Sequence, residues 1–391
     1  MAENKEKKVL NVPNLRFPEF EGEWKKCKLG DACNVFMCKR ILATQTNTEG
    51  GVPFYKIRTI GGTPDAYISK ELFDDYKTKY NYPHKGEVMI TCAGTVGKCV
   101  IYDGKDAYYQ DSNIVWIDNP SQYIGNGFLY HLLANVDWRK LNSTTIIRIY
   151  NDDLRNLKLS YPQIEEQKKI SRLLSLLDDR ISTQNKIIEK LESLIKGISN
   201  RLLYADNSMS IRIEEMLIER SERTKKNNQY EILSSTVNGI FSQRDYFSKD
   251  IASDNNVGYK IIHLHDIVLS PQNLWMGNIN FNDKFDIGIV SPSYKVFSIA
   301  DGFDKKYVAA LLKTHHALYN YMLVSEQGAS IVRRNLNYEA FEQLVFKIPS
   351  LNKQQEIGHV ISLLKSQLEN ANLLIKTYNS QKQYLLRQMF I

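Results

Sequence analysis

The chain has 391 residues, enough for two or three domains with cores of their own. At 43% hydrophobic and 24% charged it is composed like a soluble globular protein, and no apolar run approaches the roughly 20 residues needed to cross a bilayer. Lys and Arg number 51 against 44 Asp and Glu, and no basic tail concentrates the surplus, so charge permits nucleic-acid binding without requiring it.

Residues 1–15 read as a flexible lead-in. The stretch MAENKEKKVLNV is charged and lacks the apolar segment of a secretory signal, which leads us to expect a cytoplasmic protein. A domain is expected over 16–150, opened by Phe17, Phe20 and Trp24 of LRFPEFEGEW. Short β-rich pieces broken by Gly, Pro and Asn follow, with strands expected over 52–57, 87–91, 98–102 and 114–117 and a helix over 127–141, which makes an α+β domain. The five cysteines, Cys27, Cys33, Cys38, Cys92 and Cys99, are odd in number and lack CxxC spacing. They read as reduced thiols, with a zinc site on Cys27, Cys33 and Cys38 as the alternative.

Residues 151–205 form the next region, and from Pro162 to Leu203 the pattern is that of one long helix. Ile170, Leu174, Leu177, Ile181, Gln184, Ile188, Leu191, Ile195, Ile198 and Leu202 alternate in steps of four and three. That is a coiled-coil seam, polar only at Gln184, and it needs a facing helix. A second domain is expected over 206–336, with strands at 259–262, 266–270, 288–290 and 294–297 and a helix over 304–323. The last region, 337–391, carries the facing helix. Pro349 lies 187 residues after Pro162, and the same offset relates Gln167 to Gln354, Ile170 to Ile357 and Asn185 to Asn372. Its seam runs Ile357, Ile361, Leu364, Leu368, Ala371, Ile375 and Tyr378, weakens at Lys382, and resumes at Leu385 and Met389. The chain is thus a tandem repeat of domain and helix. The domains have little sequence in common; their nearest echo is GEVMITCAGTVGKCVIYDG at 86–104 against HDIVLSPQNLWMGNINFND at 265–283. Constant helices between divergent domains suit two readers held at a set spacing, which is the problem posed by two separated sites on DNA.

On these residues the chain resembles the specificity subunit (HsdS) of type I restriction–modification systems. The resemblance covers nearly the whole chain and is most specific in LRFPEFEGEW, KLGDACNV, GEVMITCAGTVGK, DIVLSPQNLWMG with the following GIVSPSYKVF, and the helix starts YPQIEEQKKI and IPSLNKQQEI. It implies two target recognition domains of similar α/β-type fold, separated by two long antiparallel coiled-coil helices in a pseudo-two-fold repeat. It implies that each domain reads half of a bipartite site on double-stranded DNA. The helices would set the spacer and dock two modification subunits, directing adenine methylation, with one or two restriction subunits cleaving unmodified DNA. S-adenosylmethionine, ATP and Mg are expected on those partners and no cofactor on this chain. The competing reading is a coiled-coil scaffold joining two protein partners.

Motifs of catalysis are incomplete. Ser291-Pro292-Ser293-Tyr294 lacks the second proline of an amino-methyltransferase loop, and no Gly-rich cofactor loop precedes it. Gly94 to Cys99 is too short for a P-loop and ends in Cys99 where Ser or Thr is needed. Pro64-Asp65 and Glu166 to Lys168 stand about a hundred residues apart, unlike one nuclease centre. Base reading needs side chains that reach base edges and donors for phosphates. In the first domain the candidates are Arg40, Lys56, Arg58, Thr59, the turn Gly94, Thr95 and Lys98, then Gln110, Ser112, Asn113 and Arg148. In the second they are Arg244, Ser270, Gln272, Asn273, Trp275, Asn278, Arg333 and Arg334. For each, solvated surface or loop packing is the competing role, and for Trp275 a core anchor.

Overall fold

Two helices of 39 residues, Ile164–Leu202 and Leu351–Met389, occupy the repeated stretches in the computed structural model, which describes residues 10–141, 148–202, 209–246, 255–327 and 334–391. Pro162 and Pro349 stand just ahead of them, where a missing N–H costs little, and Glu165 and Glu166 complement the first helix's dipole. Every described seam position from Ile170 to Ile198 is buried or half-buried while most positions between are exposed. The Leu202 side chain and Leu203 lie outside the described residues.

The chain divides into two units, residues 1–183 with 375–391 and residues 184–374. In the first, Ile170 and Leu174 share a core with Leu386 and Met389, Lys382 donates to Asp178, and Arg180 lies 6.0 Å from the Tyr378 ring. In the second, Ile198 packs on the core that contains Ile357 and Ile361, and the Gln184 amide reaches the Ala371 carbonyl at 3.4 Å. In each unit one residue number rises as its partner's falls, so the helices pair antiparallel, with the one polar seam residue opposite the small Ala371.

The first unit joins Lys25–Lys28 to Lys158–Tyr161 in an antiparallel pair. Between them lies an antiparallel sheet in the order Asn34–Phe36, Ile114–Asp118, Val88–Thr91, Cys99–Ile101. A second sheet contains Tyr67–Ile68, Val52–Tyr55 and Tyr108–Tyr109, the last two parallel. The second unit repeats the plan. Met209–Arg212 pairs with Val345–Ile348, and a four-stranded antiparallel sheet runs Leu217–Glu219, Lys295–Ile299, Ile267–Leu269, Ile279–Phe281. It adds a hairpin, Leu233–Thr236 with Gly239–Ser242, and the pair Lys260–His263 with Ile287–Val290.

The docking of each domain onto its long helix also repeats. Gln167 is buried, donates to the Pro162 carbonyl (2.8 Å) and accepts from the Gly125 N–H (2.8 Å). Gln354 is buried, donates to Pro349 (2.9 Å) and accepts from Asp304 (3.0 Å). Gly125 and Asp304 each precede a domain helix, Asn126–Asn135 and Lys305–Leu311, so one glutamine seats the same element twice.

Three expectations are revised. The helix expected over 127–141 is two, Asn126–Asn135 and Trp138–Leu141, because Val136 and Asp137 turn the chain and Asp137 accepts from the Arg139 N–H. The helix expected over 304–323 breaks likewise between Leu311 and His315, where the Thr314 hydroxyl caps the second piece by accepting from Ala317 (3.2 Å). Residues 11 and 15, expected in a flexible lead-in, are tied to the fold: Asn11 is buried and donates to the Trp24 carbonyl (2.7 Å), and the Leu15 N–H donates to Gln388 (2.8 Å), while residues 1–9 lie outside the described residues.

Candidate nucleic-acid interface

In the first domain strands Val88–Thr91 and Cys99–Ile101 are joined by the loop 92–98, which carries Gly94, Thr95 and Lys98. Thr91 organises it: its hydroxyl donates to the Thr95 carbonyl and accepts from the Lys98 N–H (3.0 Å). Gly97 has φ +81°, and a Cβ there would stand 2.2 Å from the Trp138 ring, so only glycine fits. Lys98 Nζ donates to the Ile60 carbonyl (2.5 Å), which ties this loop to the turn bearing Lys56, Arg58 and Thr59. There the Thr59 hydroxyl accepts from the Lys56 N–H (3.0 Å) and Lys56 Nζ pairs with Asp65 (3.0 Å). Lys98 and Thr59 therefore hold loops in shape, while Arg58 is exposed.

A cleft of about 480 Å³ brings together six candidates: Arg40, Lys56, Gln110, Ser112, Asn113 and Arg148. Arg40 is held by Asp111 (2.9 Å), and Arg148 donates to the Ser112 carbonyl (3.3 Å) and lies 5.8 Å from the Tyr150 ring. Ser112 has φ +59°, which few residues other than glycine adopt. The Gln110 Oε1 is buried and accepts no hydrogen bond among the described residues. The cleft meets the 92–98 loop where the Cys92 N–H donates to Asn113 (2.7 Å) and Ile149 donates back to Cys92 (2.9 Å).

In the second domain the matching hairpin, Ile267–Leu269 with Ile279–Phe281, presents residues 270–278. The short helix Leu274–Met276 closes on Gly277 at φ +91°. Arg334 donates its N–H to Gln272 (3.1 Å) and lays its guanidinium 4.7 Å from the Trp275 ring, so Gln272, Trp275 and Arg334 form one group. Such stacking keeps the planar fork oriented. Ser270 and Asn273 close the turn below, through an Asn273 N–H to Ser270 bond of 3.1 Å. Asn278 points inward: it is buried, accepts from the Ser235 hydroxyl (2.9 Å) and donates to the Ser235 carbonyl (3.0 Å). Arg244 is exposed on the short helix Gln243–Tyr246, and Arg333 lies outside the described residues.

Two features escaped the sequence. Asp111 sets Arg40, which only the fold reveals. Lys313 donates to Asn280 (2.6 Å) and to the Val237 carbonyl (3.2 Å), and burial, with Lys365 nearby, pushes its pKa down to about 8. The hairpin it supports turns on Val237 and Asn238, between the paired Thr236 and Gly239, and the adjoining Asn-Gly pair is a turn signal in the sequence.

Burial pushes the Cys92 thiol up to about 12 despite the charge of Arg148, and Cys99 to about 12, so neither is a ready nucleophile. Cys33 and Cys38 are likewise raised to about 12 by burial. Among the described residues no group of three or more His, Cys, Asp or Glu side chains could hold a metal ion, and no helix is long and apolar enough to cross a membrane. Ser291 to Tyr294 is a turn between strands, with the Tyr294 hydroxyl donating to Ser235 (3.0 Å), and Glu166 is occupied by Arg16.

Residues 21–193 match the family model described as Type I restriction modification DNA specificity domain. A putative type I restriction enzyme specificity subunit of Haemophilus influenzae, S.HindORF215P, is 45% identical over 197 residues, covering 50% of this chain and 48% of the relative. The putative MjaX specificity subunit of Methanocaldococcus jannaschii is 25% identical over 208 residues, 50% of this chain and 49% of that one. The matches thus span about half the length of these curated relatives. The crystal structure of a type I restriction-modification system S subunit from M. genitalium shares the fold, with a TM-score of 0.65 over 97% of this chain and 99% of that one at 15% identity.

Proposed function

We propose that the chain, which over about half its length resembles type I restriction–modification specificity subunits, is the DNA-reading subunit of such a complex. Each domain reads one half of a bipartite target in double-stranded DNA. The paired helices set the unread spacer and dock two modification subunits, which bind S-adenosylmethionine and methylate adenine. Restriction subunits supply ATP- and Mg-dependent cleavage of unmodified DNA. The chain itself is non-catalytic, and it works in the cytoplasm.

The observation that carries this reading is one scaffold used twice with different loops. The hairpin of the four-stranded sheet presents CAGTVGK at 92–98 in the first domain and SPQNLWMGN at 270–278 in the second. Equal frames with unequal contents are what two unlike half-sites demand. Docking of two like partners is supported by the helices' outer faces. Leu176 and Leu363, one repeat apart, are both 52% exposed, and Ile187 and Leu374 are 42% and 44% exposed. Two equivalent apolar patches fit two copies of one partner.

The test is methylome sequencing of cells carrying this chain with its modification partner, the chain alone, or neither. A motif of two fixed half-sites with a constant gap is expected only from the pair. Methyl transfer by the chain alone, or an ungapped motif, would overturn the reading. The scaffold alternative has no specific support, and salt separates it: DNA binding should weaken steeply with log salt, an apolar protein interface should not.

A further inference from the structure

We propose that Gln110 reads an adenine in the first half-site, its side-chain amide completing on the base a hydrogen bond that the fold leaves unmade; this rests on the DNA-reading role above. The backbone of Gln110 is fully engaged. Its N–H donates to Tyr55 (2.9 Å) and its carbonyl accepts from Ile114 (3.1 Å), so the root of the side chain is fixed. The side-chain oxygen is buried and has no hydrogen-bond partner among the described residues. Buried polar groups are nearly always paired; because Gln110 lines the cleft, turning its carboxamide outward lets that oxygen meet a donor from outside the protein.

The surroundings are built for such a ligand. The cleft, about 480 Å³, is walled by Arg40, Arg148 and Lys56, cations suited to flanking phosphates. The turn that follows Gln110 is held in a costly conformation, with Ser112 at φ +59°, and is braced by Arg148 on the Ser112 carbonyl and by Arg40 on Asp111. A strained, braced turn beside an unpaired side-chain oxygen is the arrangement of a preorganised contact.

The base follows from the donor pattern. A carboxamide offers one acceptor and one donor side by side. In the major groove adenine presents the complement, N6–H to donate and N7 to accept, whereas cytosine offers only N4–H and would leave the amide N–H unused.

The experiment is methylome sequencing of cells expressing the full complex with wild-type chain, Gln110→Ala or Gln110→Glu. With Gln110→Ala, one A·T position of one half-site should become degenerate, methylation at mismatched sites rising about tenfold or more, while the other half-site is unchanged. With Gln110→Glu, acceptor-only and matched to cytosine N4–H, the same position should shift toward C·G. An identical motif in both variants, or relaxation at a position that is not A·T, overturns the proposal. Gln110→Met guards against misfolding: it keeps the length and removes both polar atoms, so a folded complex with an unrelaxed motif also overturns it. A wild-type complex with no bipartite motif would instead sink the DNA-reading role itself.

Discussion

Glu166 is completely buried, and Arg16 meets it with two parallel bonds, Nε to Oε1 at 2.8 Å and a terminal nitrogen to Oε2 at 2.7 Å. Two more guanidinium hydrogens go to the Gly22 and Glu21 carbonyls, which fixes the fork. Arg16→Ala should therefore destabilise the first unit by about 3–5 kcal/mol, the cost of an uncompensated buried charge. Arg16→Lys should recover only part, since one ammonium cannot span both oxygens. Urea denaturation of the isolated chain checks both. From sequence, Phe17, Phe20 and Trp24 stood out in this stretch, and Trp24 does pack on Phe128 and Phe390 at 5.8 and 6.5 Å. Arg16 gave no sign, because its partner lies 150 residues away. His131 was invisible for the same reason. It is buried beneath the first long helix, 3.4 Å from the Ser175 hydroxyl, and burial lowers its pKa from 6.5 to about 4. The unfolded chain therefore takes up a proton near pH 6.5 that the folded chain refuses until about pH 4. Stability should fall as pH drops through that window, by on the order of 3 kcal/mol from this residue alone, and be fully present above it. His131→Leu should flatten that part of a stability-versus-pH curve.

The long helices show which elements a sequence reveals. A three-and-four spacing kept over most of 39 residues has few competing explanations, and an offset of 187 supplied the facing strand of the seam. The medium helices were overextended because their breaks rest on single side chains, Asp137 and Thr314, that also occur inside helices. The helix Lys70–Lys79 was missed altogether, because its core-facing side is only Leu72, Phe73 and Tyr76 among seven charged or polar residues. Strand centres were legible from Val and Ile runs, while the pairs Lys25–Lys28 and Met209–Arg212 were hidden by polar residues on edge strands. Of the candidate contacts, six in the first domain proved to share one cleft, yet nothing in the sequence said that Asn278 points inward or that Lys98 ties two loops. The two faces of the helices make opposite predictions. Ile361 is 1% exposed, and Ile361→Ala should cost roughly 2–5 kcal/mol through lost burial and the cavity left behind. Leu363→Asp and Leu176→Asp lie on the outer faces and should move stability by no more than about 0.5 kcal/mol. Each should nonetheless abolish co-purification of one modification subunit, and the double variant of both. Retention of both subunits by the double variant would remove the case for these patches.

For the molecule as a whole, the proposed role turns a helix length into a length of DNA. Gln184 faces Ala371, so four residues inserted after each would lengthen both helices at the same level and keep their seams facing. Four residues add about 6 Å of helix and about 40° beyond a full turn. Two base pairs add about 7 Å of duplex and about 70° of twist, at 10–10.5 pairs per 34–36 Å turn. The rise is matched to within about 1 Å and the residual twist is about 30°, within what a flexible pyrimidine–purine step in the spacer absorbs. The double insertion should therefore yield a motif with both half-sites unchanged and a spacer longer by about two pairs, read by methylome sequencing. Insertion into one helix alone breaks the register of the seam, and should lower stability and abolish methylation rather than change the gap. A double insertion that left the spacer as it was would mean that something other than the paired helices sets the distance between the half-sites.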